Sequence, residues 1–342
     1  MKDYKIVSLF SGGGGLDLGF IKAGFRIIWA NDINKDAVAT YKRNIGDEIT
    51  CEDIYSLDEK SIPRCDFVIG GPPCQSFSLA GNRHCEDKRG QLVWRYIDII
   101  KELQPEGFLF ENVTGLLSAK NHSGQLILGL LMEAFEDIGY TLSWQVVNAA
   151  DYGVPQLRKR LIIVGLRGAR CFTFPETTHN PDGSGGKKKY ISVQEALGDL
   201  PPAGSSSAFS DHEMPTMSDL DKFICHHVKP GGNYMDIPDS VNSVRIQRLK
   251  QTGGHTTCYG RMAPEKPSYT INTNFNRPNV GCNIHYKYDR LITIREALRL
   301  QSFPDDYVLE SSSKHGKYLI VGNAVPPLLA EVLANQVKKY LD

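Results

Sequence analysis

One thiol in this 342-residue chain stands in a frame that a structural cysteine does not need: Gly70-Gly71-Pro72-Pro73-Cys74-Gln75-Ser76-Phe77-Ser78. The glycines and prolines fix the backbone around Cys74, at the carboxyl end of a predicted strand, where open α/β sheets hold their ligands. The chain has eight cysteines and no C-x-x-C pair, which argues against a zinc knuckle or ribbon. A zinc deaminase also fails, because P-C-x-x-C would need cysteine at Phe77 and His84-x-Glu86 follows the Pro-Cys pair instead of preceding it. The remaining thiols read as small buried hydrophobes, and no metal site is expected.

A second constellation is Phe10-Ser11-Gly12-Gly13-Gly14-Gly15-Leu16, a glycine turn between a strand and helical residues. Such a turn lets backbone N–H groups approach a ligand closely. The dinucleotide fingerprint needs a third glycine where Asp17 or Leu18 stands, so NAD is disfavoured, and no P-loop motif is present for ATP. Asp32, twenty residues after Gly12, closes the second strand and is placed to accept ribose hydroxyls. A third strand ends near Asp53 and Ile54, which suit an adenine edge and face. Acids at successive strand ends favour an adenosine-containing ligand without pyrophosphate, such as S-adenosylmethionine.

The elements that must carry these residues alternate in the first half of the chain. Residues 6–10, 27–30, 67–69, 108–110, 142–147 and 161–164 read as strands, and 92–103 and 126–138 as helices. The fold class expected is α/β, a doubly wound and mostly parallel sheet over residues 1–172. Near 174 prolines, glycines and serines take over, as in a smaller irregular domain spanning 173–309. Regular structure returns at 293–300 and in a C-terminal helix at 326–341, so 310–342 is expected to complete the first domain. No apolar run approaches the roughly 18 residues of a membrane span, and no secretory leader is evident, so a cytoplasmic monomer without membrane contact is expected.

The net charge is zero, with 39 Lys+Arg against 39 Asp+Glu, which excludes a bulk polyanion coat. That zero is uneven. Residues 176–240 hold ten acids and five Lys/Arg, whereas 241–288 hold seven Lys/Arg and one acid, Glu265, interleaved with tyrosines and Phe275. Such a mixture suits phosphate and base contacts. Arg245, Arg248, His255, Arg261 and Arg277, with Asn274, are the candidate nucleic-acid contacts there, the alternative from charge alone being an ordinary solvated face beside an acidic partner.

In order and spacing, residues 10–16, 71–77, Glu111-Asn112-Val113, Gln156-x-Arg158-x-Arg160, residues 290–304 and Gly322-Asn323-Ala324-Val325-Pro326 resemble the signature blocks of C5-cytosine DNA methyltransferases. The likeness spans nearly the whole chain apart from about 115 residues between 174 and 289, and is nearest to compact bacterial or phage modification enzymes. It implies the S-adenosylmethionine-dependent methyltransferase fold and methyl transfer from that cofactor to C5 of a flipped cytosine in a specific duplex sequence. Cys74 would add to C6, Glu111 would hydrogen-bond or protonate N3, and Arg160 with Arg158 would supply guanidinium near cytosine O2 and the DNA backbone. The cofactor set is Phe10, Gly12, Gly14, Gly15, Leu16, Asp32, Ile33, Asp53, Ile54, Pro73, Leu92, Asn323 and Ala324. Gln75, Ser78 and Arg83 would contact DNA from the loop after Cys74, and residues 173–309 would be the target-recognition domain. Asp32 departs from the family, which more often has Glu.

A restriction endonuclease is implied only as a genetic partner. Two rival readings are a tRNA cytosine-5 methyltransferase of the same family and a catalytically inactive DNA-binding regulator. An NAD-dependent oxidoreductase is the distant third.

Overall fold

The computed structural model describes residues 3–73, 92–121, 123–205 and 208–342. In chain order the strands are β1 Lys5–Leu9, β2 Arg26–Asp32, β3 Ile49–Cys51, β4 Phe67–Gly70, β5 Gly107–Val113, β6 Tyr140–Asn148, β7 Gln156–Leu157, β8 Lys159–Arg167, β9 His179–Asn180, β10 Lys188–Lys189 and β11 Ser268–Tyr269. The helices are α1 Gly15–Lys22, α2 Lys35–Asn44, α3 Leu92–Leu103, α4 Ile127–Asp137, α5 Val193–Leu197, α6 Asp219–His227, α7 Val244–Thr252, α8 Ile294–Leu300, α9 Lys314–Asn323 and α10 Pro327–Leu341.

Two compact units result: Met1–Asn148 with Lys159–Glu176 and Leu329–Asp342, and Ala149–Arg158 with Thr177–Leu328. The first is built on a seven-stranded sheet of order β3-β2-β1-β4-β5-β8-β6. Strands β1 to β5 pair in parallel, and β8 runs antiparallel to both β5 and β6. The mostly parallel α/β sheet expected from the alternating runs is therefore present, and most strands extend a residue or more beyond their apolar cores because ladder pairing continues there.

Period-two alternation divides the sheet's side chains. Val7, Leu9, Val68, Phe108, Phe110, Leu161 and Ile163 join α3 and α4 in one core. Tyr96 of α3 lies edge-on to Phe108 and Phe110, and its buried hydroxyl donates to the Leu109 carbonyl at 3.0 Å. An aromatic ring is thus buried without stranding its polar tip. Helix α10 packs against α1 at Gly19, where any Cβ would overlap Ala330 and the Glu331 backbone.

Among its described residues the second unit has only short strand pairs, β9 with β10 and β7 with β11, and relies on capped short helices around Ile224, Cys225, Tyr234, Ile246 and Ile284. Capping boxes start α5 (Ser192, Glu195) and α8 (Thr293, Glu296). Arg290 grips Glu296 in a buried bidentate pair, 2.7 and 2.8 Å, and His285 beside it is pushed down to about 4 by burial. Helices α6, α7 and α9 are additions to the sequence reading, since two-turn or glycine-bearing helices carry a weak apolar period.

The boundary also needs correction. Residues 310–328 do not complete the sheet domain but belong to the second unit: Gly322 of α9 lies so close to Asn272 and Thr273 that a Cβ would meet their backbone, and Gln301 donates to the Val321 carbonyl. Among the described residues the longest apolar helical stretch, Lys314–Leu341, is interrupted at 324–326 and more than half of its most apolar window is buried.

Candidate active site

The carboxyl ends of β1, β2, β4 and β5 carry the candidate chemistry. After β1 the chain turns through Phe10 and Gly12, at φ +55° and +57°, and Gly14, at φ +83°, before α1 begins at Gly15 and Leu16. Only glycine fits at position 14, because a Cβ would overlap the Ile45 side chain and crowd Tyr41. Asp32 holds the turn: its Oδ2 accepts from the Gly12 amide at 2.8 Å and its Oδ1 from the Asn34 amide at 2.8 Å. Burial raises this carboxyl's pKa against the lowering effect of those two amides. Ile33, 67% exposed, presents an uncovered apolar side chain next to it. Asp53 is half-buried and accepts from the Tyr55 amide, whereas Ile54 is buried and its carbonyl accepts from Arg95 Nε. A carboxylate with spare lone pairs beside an apolar ledge and a glycine turn fits the ribose and adenine of S-adenosylmethionine.

Beneath the turn lies Asp17, a residue the sequence reading used only to exclude NAD. It is fully buried, accepts from the Tyr41 hydroxyl at 2.9 Å, and its carboxyl is pushed up to about 6, mainly by burial. A first-turn acid after a glycine run was the available signal, but only packing buries it. The folded chain therefore holds this proton between about pH 4 and 6 while the unfolded chain releases it, so folding stability falls as pH rises through that window. Chemical unfolding is expected to show the parent losing about 3 kcal/mol more than Asp17→Asn between pH 4 and 7; parallel profiles would remove the buried charge from the account.

At the end of β5, Glu111 is 9% exposed and accepts from Arg160 Nε at 2.8 Å. The antiparallel course of β8 explains the meeting: its first residues lie beside the last of β5, with Val113 opposite Arg160 and Glu111 opposite Ile162. Asn112 donates to the Pro72 carbonyl at 3.0 Å, tying this strand end to the Gly-Pro segment. Gly71 leaves the space, since a Cβ there would come within 2.8 Å of Glu111 Oε2. A Gly71→Ala variant should displace that carboxylate and lower turnover about a hundredfold while melting near the parent; unchanged turnover would show that the carboxylate position is not critical. Pro73 is exposed and Leu92, opening α3, is half-buried. Cys74, Gln75, Ser78 and Arg83 lie outside the described residues.

Two expected arginines stand elsewhere. Arg158 does not join Arg160: it is fully buried in the second unit, where its guanidinium donates to the carbonyls of Ile271 at 3.0 Å and Gly322 at 2.9 Å. The Gly322 contact ties the residue after β7 to α9, and Gln156 of β7 donates to the Leu300 carbonyl at the end of α8 and accepts from the Ile271 amide. Arg261 is likewise no surface reader. It is 4% exposed and bonds Asp289 at 2.6 Å along with the carbonyls of Cys225, His285 and Tyr288. Spacing alone could not separate these from free arginines, because burial of a guanidinium depends on carbonyls brought from distant segments. Arg245, Arg248, His255 and Arg277 are exposed, with Arg245 also donating to the Asn279 carbonyl. Asn323, exposed, and Ala324, half-buried, end α9.

Known proteins resemble this chain in sequence and fold. The family described as C-5 cytosine-specific DNA methylase matches residues 4–339. The Type II methyltransferase M.NgoFVII of Neisseria gonorrhoeae is 37% identical over 338 residues, covering 97% of this chain and 86% of its own length. The Type II methyltransferase M.MthTI of Methanothermobacter thermautotrophicus is 37% identical over 354 residues, covering 98% of each. Among solved structures, an E. coli protein described as a prophage-encoded DNA modification methyltransferase superposes with a TM-score of 0.68 at 26% identity over 99% of both chains. The S. pombe Dnmt2 methyltransferase shares the fold, with a TM-score of 0.64 at 18% identity over 98% and 99%. Methyltransferases of this family and fold use S-adenosylmethionine. The chain belongs to the C-5 cytosine-specific DNA methylase family and is a DNA cytosine-5 methyltransferase.

Proposed function

We propose that the chain methylates C5 of one cytosine within a short, specific duplex DNA sequence, as the modification enzyme of a Type II restriction-modification system. The observation that carries this reading is the Glu111–Arg160 pair at 2.8 Å, set at a strand end beside the Gly-Pro segment that leads into Cys74. Bound S-adenosylmethionine supplies an electrophilic methyl group. Asp32 would accept its ribose hydroxyls, Ile33 would cover one adenine face, and Asp53 and the glycine turn would close the pocket.

Cytosine C5 is too weak a nucleophile to take a methyl group unaided. In our reading Cys74, as thiolate, adds to C6 and makes C5 enamine-like. A proton shared between Glu111 and N3 stabilises the charge that the addition pushes into the ring, while Arg160 fixes the carboxyl group and supplies positive charge beside it. After methylation a base, for which water can serve, takes the C5 proton, and the C–H electron pair re-forms the C5=C6 double bond as the C6–S bond to Cys74 breaks. The target atom lies within a stacked duplex, so the base must leave the helix to be reached.

The second unit reads the sequence. Its basic stretch keeps five exposed cations, Arg245, Arg248, Lys266, Arg277 and Lys287, once buried Arg261 and the Lys250 paired to Asp239 are set aside. If these contact phosphates, DNA affinity falls about tenfold or more between roughly 50 and 200 mM salt; an affinity indifferent to salt would contradict the assignment. Expression in a host lacking cytosine methylation, followed by genome-wide mapping of 5-methylcytosine, tests the function directly. A single recurring motif is expected, and modified tRNA with unmodified DNA would overturn it.

A further inference from the structure

The acid beneath the glycine turn is a charge without a counter-charge. Asp17 stands in the first turn of α1, three residues after Gly14, and is fully buried. Tyr41 of α2 joins it to the turn: the ring is what a Cβ at Gly14 would crowd, and the hydroxyl donates to Asp17 Oδ1 at 2.9 Å. Oδ2 has no hydrogen-bond partner. The side chains that act on this carboxyl are Ser8 on β1, Tyr41 on α2 and Asp32 at the end of β2, and none of them is a cation. Burying a charge that no cation answers is costly. Asn would give the same shape and accept the same hydrogen bond without that cost, so what an acid adds here is charge.

That charge already feels the cofactor side of the turn. Asp32, which the proposed function assigns to the cofactor's ribose, adds its negative charge to the effect of burial in pushing the Asp17 carboxyl up to about 6. The same Asp32 holds the Gly12 amide at 2.8 Å, and Gly13, Gly14 and Gly15 beside it are buried, so the interaction is screened less than one between surface charges. S-adenosylmethionine carries its sulfonium one methylene from the ribose. A positive charge placed there acts on Asp17 with the sign opposite to Asp32 and favours the ionised carboxyl. S-adenosylhomocysteine, which remains once the methyl group has gone, has the same ribose, adenine and amino-acid end around an uncharged sulfur.

We propose that Asp17 is the counter-charge for the cofactor's sulfonium, acting through the glycine turn, and that it makes the chain prefer the methyl donor to the demethylated product. The inference rests on the cofactor placement in the proposed function. Below about pH 6 a proton neutralises Asp17 and the preference is weak; above it the carboxylate is present and the donor gains on the product. Apart from the methyl group and its charge the two ligands are identical, including the ribose hydroxyls that Asp32 would accept. The pH dependence of their affinity ratio therefore isolates the sulfonium.

Calorimetric titration of the full chain with each ligand, in the absence of DNA, tests this. Between pH 5 and 7.5 the affinity ratio is expected to move toward S-adenosylmethionine by about fourfold, and near pH 6 the donor should release about a third of a proton more than the product, read from buffers of different ionisation enthalpy. In Asp17→Asn the ratio should stay at the parent's low-pH value throughout. Tyr41→Phe removes a hydroxyl that favours the charged form, so the rise should shift to higher pH. The parent's proton count decides the question even where a variant fails to fold. A ratio independent of pH in the parent, or the same rise in Asp17→Asn, would overturn the proposal and leave the cofactor reading intact. Failure of both ligands to bind would overturn the two together.

Discussion

A Cys74→Ala variant incubated with S-adenosylmethionine and duplex DNA carrying 5-fluorocytosine at the target position is expected to form no denaturation-resistant protein–DNA complex, whereas the parent chain accumulates one. Fluorine at C5 cannot leave as a proton does, so an enzyme that has added a thiolate at C6 and methylated C5 cannot eliminate the thiol and stays attached. On ordinary duplex DNA the same variant should lose methyl transfer by about ten thousandfold or more, as expected when a covalent nucleophile is removed. The other described cysteines give the contrast. Burial pushes the thiols of Cys65, Cys225 and Cys282 up to about 12, which keeps them protonated and unreactive near neutrality. Cys51 and Cys171 are exposed, and neither lies in a Gly-Pro frame. Replacing either by Ala should leave trapping intact, and a Cys74→Ala chain that still traps DNA would transfer the nucleophile's role elsewhere.

Replacing Glu111 with Gln should lower kcat about a thousandfold while duplex DNA binding stays within a few-fold of the parent. The amide keeps the shape of the carboxylate and can still accept from Arg160 Nε, now at 2.8 Å from Oε1. What it cannot do is give a proton to N3 as the ring takes up charge. Because the loss arises in the transition state, it should appear in kcat and kcat/KM together, and trapping by 5-fluorocytosine should slow in proportion. Full turnover in this variant would remove Glu111 from the chemistry and leave it as a partner that holds Arg160 in place.

Much of this was readable in order along the chain. Strands of the parallel sheet announce themselves as short apolar runs because both their faces are buried, and glycine turns follow from the close approach of backbone to ligand. Arg158 and Arg160 show where reading along the chain stops. They are two residues apart, a spacing that in a continuous strand puts both side chains on one face. In the fold Arg158 falls in the second unit and is consumed by the carbonyls of Ile271 and Gly322, while Arg160, second residue of β8, reaches Glu111. Arg261 repeats the point: its ion-pair partner Asp289 lies just beyond the basic stretch whose charge it seemed to swell.

The amino-acid sequence by itself determined the family, the α/β class, the framed thiol at Cys74 and the acids that end successive strands, because these depend on residue type and local spacing. Only the tertiary structure decided which charges are free to act. It buried Asp17 under the glycine turn, sealed Arg158 and Arg261, and moved α9 out of the sheet domain. The physical reason is common to the three charged groups. A charged group's burial and partners are set by segments that the chain brings together from far away, and local spacing carries no record of them.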